Sequence, residues 1–207
     1  MEDDHPKVTD LPWPLSGADA LRDELLAAYA EPSRGHHGTR HLAEVLQRLD
    51  ELDAAGASYD RTPVVLAAWF HDAVYDGERD AEERSATWAE DALPEHVDAA
   101  TVAEVARLVR LTEHHRPDPA DANGCALSDA DLSILAAPQE RYDEYVAAVR
   151  AEYAHLEDDV FAAGRAEVLR ALTDTSALFR TAYGRAQWEQ AARANVAREL
   201  AGLPEPV

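Results

Sequence analysis

Histidines and carboxylates in this chain cluster at a few places where they could act together. His36, His37 and His41 lie close in sequence, His71 is followed directly by Asp72, and His114 and His115 are adjacent. Asp129-Ala130-Asp131 places two carboxylates in one short stretch. Imidazole nitrogen and carboxylate oxygen together suit borderline and harder divalent ions such as zinc, iron, manganese or magnesium.

The local patterns say which of these groups reach inward. On a regular helix His37 and His41 share a face. With His41 at zero, Leu42, Val45, Leu46, Leu49 and Leu52 spread over about 20° to 140° at ~100° per residue. His41 therefore sits at the edge of a buried stripe, where a half-buried packing histidine is the ordinary reading and a ligand the alternative. The run Val64 to Phe70 is apolar nearly all round and passes straight into His71-Asp72. Two ionisable groups at the end of such a helix are costly unless paired, bound to something or ended in water. Asp131 follows Ser128 by three residues, so a capping box at a positive helix end competes with a ligand role.

The elements that must position these residues read as helices throughout, with no alternating run that suggests a strand. Residues 1–15 are expected to form an irregular arm, and residues 16–207 a single all-helical domain. Ser16 and Asp19 suggest a capping box opening a helix with Leu21, Leu25 and Tyr29 on one face. A second helix starts near Thr39 and closes at Gly56. Thr62-Pro63 reads as an N-cap followed by a first-position proline. Asp80 with Glu83 opens a helix to about residue 93, and Asp98 opens one to about residue 115. Residues 116–126, with Asn123-Gly124, read as the longest loop. Ser128 is expected to cap a short helix, Pro138 to start another, and two more to cover about 159–172 and 175–200. The expectation is an all-α bundle of about nine helices.

Composition narrows the function classes. The 207 residues are enough for one domain with a sizeable core. The formal net charge of −22, from 19 basic and 41 acidic residues, would repel a nucleic-acid backbone. A small phosphorylated substrate stays compatible, because a metal ion and a few arginines reverse the local field. The acidic, proline-bearing N-terminal stretch does not read as a signal peptide, no run is long enough to span a bilayer, and the single cysteine, Cys125, fits a reducing compartment. The expectation is a cytoplasmic protein without nucleic-acid or membrane partners, as a monomer or homodimer.

Taken in order, His41-Leu-Ala-Glu-Val45, Phe70-His71-Asp72 and Asp129-Ala-Asp-Leu-Ser133 resemble the HD superfamily of metal-dependent phosphohydrolases. The likeness is closer to a bacterial subgroup of about 200 residues. It extends over Tyr29-x-Glu31-Pro-x-Arg34, His37-x-x-x-His41-Leu42, Ala68-Trp69-Phe70-His71-Asp72-x-Val74-Tyr75-Asp76, Glu82-x-x-Ser85-Ala86 and Thr112-x-x-His115. Tyr145 to Tyr153, Gly164-Arg165 and Ala192-Arg193-x-Asn195 continue it. His36 replaces a tyrosine usual in that subgroup, and Ala81 an asparagine. The resemblance implies an HD-domain helical bundle with the ligands His41, His71, Asp72 and Asp131, Asp129 standing as the fallback for the last. It implies a divalent cofactor (Mn, Mg, Fe, Zn, Co or Ni) and hydrolysis of a small phosphate ester, with a nucleotide as the expected substrate.

Within that reading Asp72 is both ligand and orienter of water, and Glu82 is a candidate for proton transfer, against a plain helix-end role. Glu83 reads as the capping partner of Asp80. Arg34 is the first candidate for phosphate oxygens, ahead of Arg40 and Arg110, because guanidinium binds them bidentately. His37 and His115 are expected to support the ligands or touch substrate. Arg165 and Arg193 are expected to pair with carboxylates. Two other functions fit the same residues: a di-iron oxygenase, with His37, His115 or Glu82 as extra ligands, and a non-catalytic metal or nucleotide sensor.

Overall fold

The computed structural model describes residues 11–77 and 80–204. Ten α-helices and one short 3₁₀ turn make up the secondary structure of these residues. The helices are α1 (Asp19–Tyr29), α2 (Thr39–Ala54), α3 (Arg61–Phe70), α4 (Ala81–Ala92), α5 (Ala99–Leu111), α6 (Ala122–Leu132), α7 (Gln139–Glu152), α8 (Asp158–Thr173), α9 (Ala182–Gln187) and α10 (Glu189–Gly202). The 3₁₀ turn, Ser133–Ala136, follows α6 directly. No helix among the described residues is long and apolar enough to cross a membrane.

Helix α3 forms the axis of the bundle. Every residue from Pro63 to Phe70 is buried, which is what an all-round apolar helix requires. Helices α2, α4, α5 and α6 pack against it. Helix α2 presents the expected stripe of Leu42, Val45, Leu46, Leu49 and Leu52, all buried. It ends as expected: Gly56 takes a positive φ of 80°, and the amides of Gly56 and Ala57 reach back to the carbonyls of Asp53 and Leu52, closing the last turn. Helix α10 packs on the 3₁₀ turn and α8 lies against α10.

Several helix starts differ from the sequence expectation. Helix α1 begins at Asp19 with Ala18 before it and no side-chain cap, so Ser16 and Asp19 form no box. The cap position of α3 is Asp60, not Thr62. Asp80 precedes α4 in a left-handed conformation and gives its carboxylate to Arg84; Glu83 pairs with Arg110 instead. The largest difference is α6. Asp121 accepts the amide of Gly124 and starts the helix at Ala122, so Asn123-Gly124 is a first helical turn and Ser128 lies mid-helix. Gly124 is needed there because a Cβ would collide with the Asp121 carboxylate and crowd Leu111.

The C-terminal helix expected over 175–200 is broken in two. Leu178 and Phe179 give their amides to Glu189. Arg180 and Thr181 give theirs to Asp129, and Thr181 caps α9 through the amide of Gly184. Side chains take the donors that a continuous helix would have used. Of the expected N-terminal arm, residues 1–10 lie outside the described residues. Residues 11–15 are not helical, but they are packed: Leu11 and Leu15 are buried, Trp13 meets Trp69 edge-on, and Trp69 Nε1 donates to the Pro12 carbonyl.

Candidate metal centre

Four side chains from three parts of the chain meet at the inner end of α3. His41 comes from the first turn of α2, His71 and Asp72 from the turn that ends α3, and Asp131 from the last turn of α6. Asp131 Oδ1 lies 2.9 Å from His41 Nε2 and 3.6 Å from His71 Nε2. Asp72 Oδ2 lies 3.1 Å from His71 Nε2 and 3.5 Å from His41 Nε2. The two Nε2 atoms are 3.3 Å apart. His41, His71 and Asp131 offer one ligand atom each, all within 4.8 Å of one another, and Asp72 adds Oδ2 from the side.

The orientation of each group is set from behind. His71 Nδ1 lies 2.8 Å from the carbonyl of Ala68. A carbonyl only accepts, so Nδ1 carries a hydrogen and Nε2 is the ring atom that faces the other three groups. The Tyr29 hydroxyl, buried under the turn, accepts the amide of Asp72. Arg34 holds the same turn: its guanidinium donates to the carbonyls of His37, Asp72 and Ala73. Its side chain is 2% exposed. Arg34 is therefore a buried clamp on the His71-Asp72 turn, with its donors on these carbonyls where the sequence expectation gave them to phosphate.

The arrangement fits a divalent cation. Ligand atoms bonded at ~2.0–2.2 Å to one ion stand about 3 Å from their neighbours, which is the spacing found among these four groups. Asp72 Oδ2 is buried and no hydrogen bond satisfies it, although two imidazole nitrogens are close; the contact is near but misaligned. Asp131 sits at the negative end of α6, where a carboxylate is disfavoured without a cation. Burial alone would raise its pKa, but the charge of His71 and the bond from His41 hold it well below the usual carboxylate range. Burial likewise pulls the His71 imidazole down, and Asp72, Tyr29 and Asp131 together outweigh it and hold it well above its ordinary value.

Asp129 is used elsewhere. It is 1% exposed and accepts the amides of Arg180 and Thr181 and the Thr181 hydroxyl, so Asp131 is the carboxylate that joins the cluster. His115, in a left-handed conformation at φ 49°, brings Nε2 to 3.4 Å from Asp131 Oδ2 while its Nδ1 meets the Ser128 hydroxyl at 3.3 Å. Burial lowers its pKa. His37 gives Nδ1 to Glu152 at 2.8 Å and stacks on Tyr75 with centroids 4.0 Å apart. Burial lowers its pKa, but Asp72 and Glu152 overcome that and leave it raised. Arg40 pairs with Glu44 and Glu144, and Arg110 with Glu83 and Glu90. Arg165 and Arg193 pair with Glu199 and Glu189, as expected.

Asp72 and Asp131 of the cluster line a cleft of about 1110 Å³, whose wall also includes His37, Tyr75, Glu82, His115 and Arg116. Glu152, Tyr29 and Tyr75 escaped the sequence reading of the site. Glu152 is separated from His37 by most of the chain, and no local pattern announces the contact. Compared with known proteins, the chain matches no family model, no curated protein and no solved structure.

Proposed function

We propose that this chain is a metal-dependent phosphohydrolase acting on a small phosphomonoester. The observation that carries the reading is the convergence of His41, His71, Asp72 and Asp131 on one point, with Asp72 and Asp131 open to the cleft and Asp72 Oδ2 unsatisfied. The likeness to the HD superfamily supplies the reaction class. His41, His71, Asp72 and Asp131 would hold the ion. A bound divalent ion supplies Lewis-acid chemistry, drawing charge from a phosphoryl oxygen and making a nearby water more acidic.

The residues around it divide the remaining work. His37, its Nδ1 held by Glu152, meets a phosphate oxygen through its other ring nitrogen. His115, kept neutral by burial, stands beside Asp131 and orients the substrate. Asp72 aligns the attacking water, and Glu82, in the first turn of α4 on the cleft wall, takes its proton. The aromatic face of Tyr75 and the salt bridge of His37 with Glu152 keep His37 from swinging away.

The test is metal analysis of the purified protein followed by phosphate release from p-nitrophenyl phosphate and a nucleotide panel with added manganese. Release that disappears in His71→Ala and Asp131→Asn supports the reading. Two irons per chain would favour the oxygenase instead. Absence of release from every compound, with metal bound, would favour a sensor.

A further inference from the structure

The cleft is larger than a phosphate and its ion require, and its two halves differ. Besides the histidines, Leu132 and Leu135 line it, as do Phe161, Val168 and Leu172 of α8. Helix α8 has two apolar faces. Ala162, Ala166 and Leu169 are buried against the body of the protein. Phe161, Val168 and Leu172, at helical spacing on another face, line the cleft. Val168 is 52% exposed and Val160, beside Phe161, 54% exposed. These are the large hydrophobics left open among the described residues, and both belong to the cleft.

Gly164 adds a second, independent observation. It stands in the middle of a sixteen-residue helix, where glycine weakens the helix relative to alanine. It lines the cleft, and a Cβ placed on it would meet no atom of the protein within 4 Å. The space it leaves is therefore open to whatever enters the cleft.

The charges in this half are already neutralised. Arg165 is paired with Glu199 and lies over the Tyr145 ring. Arg107 is held by Glu104 and Asp121, and Arg110 by Glu83 and Glu90. Among the described residues, Arg116 is the cleft arginine with no carboxylate partner. One phosphate can be met by the ion, His37 and Arg116; a string of phosphates would face Glu82 and Glu113 without counter-charge.

We infer that the cleft takes a phosphate monoester whose alcohol carries an elongated apolar group, lying along the inner face of α8 past Gly164. This inference rests on the phosphohydrolase reading for its head group and on α8 for its body. The chemistry it selects is a single phosphate on an alkyl or aryl chain, in preference to a nucleoside polyphosphate.

The test uses the full chain loaded with manganese and a series of alkylphosphonates, methyl to octyl, followed by isothermal titration. These ligands keep one head group and cannot be hydrolysed. The dissociation constant is expected to fall about fourfold per added methylene while the chain remains buried. Gly164→Leu fills the cleft with a better helix former, and Val168→Asp alters an exposed side chain. Each is expected to flatten the series while leaving methylphosphonate binding unchanged.

A flat series in the wild type, or a gradient that survives Gly164→Leu, overturns the inference. So does tighter binding of nucleoside monophosphates than of octylphosphonate. A dimer in sedimentation that Val168→Asp dissociates would put a second copy on this face and also overturn it. Turnover of p-nitrophenyl phosphate, measured in parallel, separates the two claims. A gradient without turnover removes the hydrolase and keeps the apolar site; turnover without a gradient does the reverse.

Discussion

Glu152 of α7 holds His37 at both backbone and ring: Oε1 accepts the amides of Gly35, His36 and His37, and Oε2 takes His37 Nδ1 at 2.8 Å. One carboxylate thus fixes the whole loop that delivers the histidines to α2. Its side chain is 3% exposed, so replacing it leaves the part-buried amides of His36 and His37 and the His37 ring without their acceptor. Glu152→Ala should cost about 2–4 kcal/mol of stability, read from denaturant unfolding. A cost below about 1 kcal/mol would mean that solvent satisfies the loop instead.

The same pair should couple with pH. Burial raises the Glu152 carboxyl, but the hydrogen bond and charge of His37 bring it below its ordinary value. A depressed acid contributes stability above its unfolded pKa, about 4.3, and loses it as pH falls through the folded value. His37 is raised; its contribution is present below its unfolded value, about 6.5, and is lost as pH rises through the folded one. A double-mutant cycle with Glu152→Gln and His37→Gln should therefore show its largest coupling between about pH 5 and 6.5 and less on either side. A coupling that does not vary from pH 3 to 9 would contradict the pairing.

Asp129 and Asp131, two residues apart, should fail in opposite ways. Asp131→Asn removes a proposed ligand and relieves a carboxylate at a helix C-terminus, so metal affinity should drop at least about a hundredfold while the metal-free fold holds. Asp129→Asn disturbs the capping of the segment before α9 and should lower stability by about 2–4 kcal/mol with metal stoichiometry unchanged. In the wild type, metal at 100 times its dissociation constant should add about 2.7 kcal/mol, visible as a melting-temperature rise that EDTA reverses. Metal loss in both variants alike would erase the distinction.

This pair also shows what was legible in the sequence. Helical periodicity placed the stripes of α2 and α3 correctly because burial of one face, or of all faces, leaves its mark on residue type. His41, the His71-Asp72 pair and an aspartate within Asp129-Ala-Asp131 were readable as candidates by type and position, and the resemblance joined them into one set. Which of two aspartates turns inward was not, since that depends on where α6 starts. The start is set by Asp121 capping Gly124, and Asn123-Gly124 reads locally as a turn. The contacts of Arg34 were hidden for a related reason: its type suits phosphate, while its donors reach the carbonyls of Asp72 and Ala73, and no local pattern reveals them.

Arg34→Lys tests that clamp. Lysine keeps the charge but loses the planar fork that spans adjacent carbonyls. The turn bearing His71 and Asp72 should loosen, weakening metal binding about tenfold or more with KM for substrate little changed once metal saturates. A rise in KM with normal metal affinity would return Arg34 to the substrate.

Glu82 and Glu83 offer the sharpest test of the proposed chemistry. They are neighbours in the first turn of α4, equally suited to its positive end. Glu83 is exposed and locked to Arg110 by two hydrogen bonds at 2.6 and 2.7 Å. Glu82 turns to the cleft. If Glu82 moves the proton of the attacking water, Glu82→Gln should lower kcat by about 10²–10⁴-fold without changing KM or bound metal, and should remove the acidic limb of the pH–rate profile. Glu83→Gln should leave kcat within about twofold, since it breaks only an exposed pair. Equal and small effects from the two would reduce Glu82 to a helix-end charge and leave Asp72 alone to handle the water.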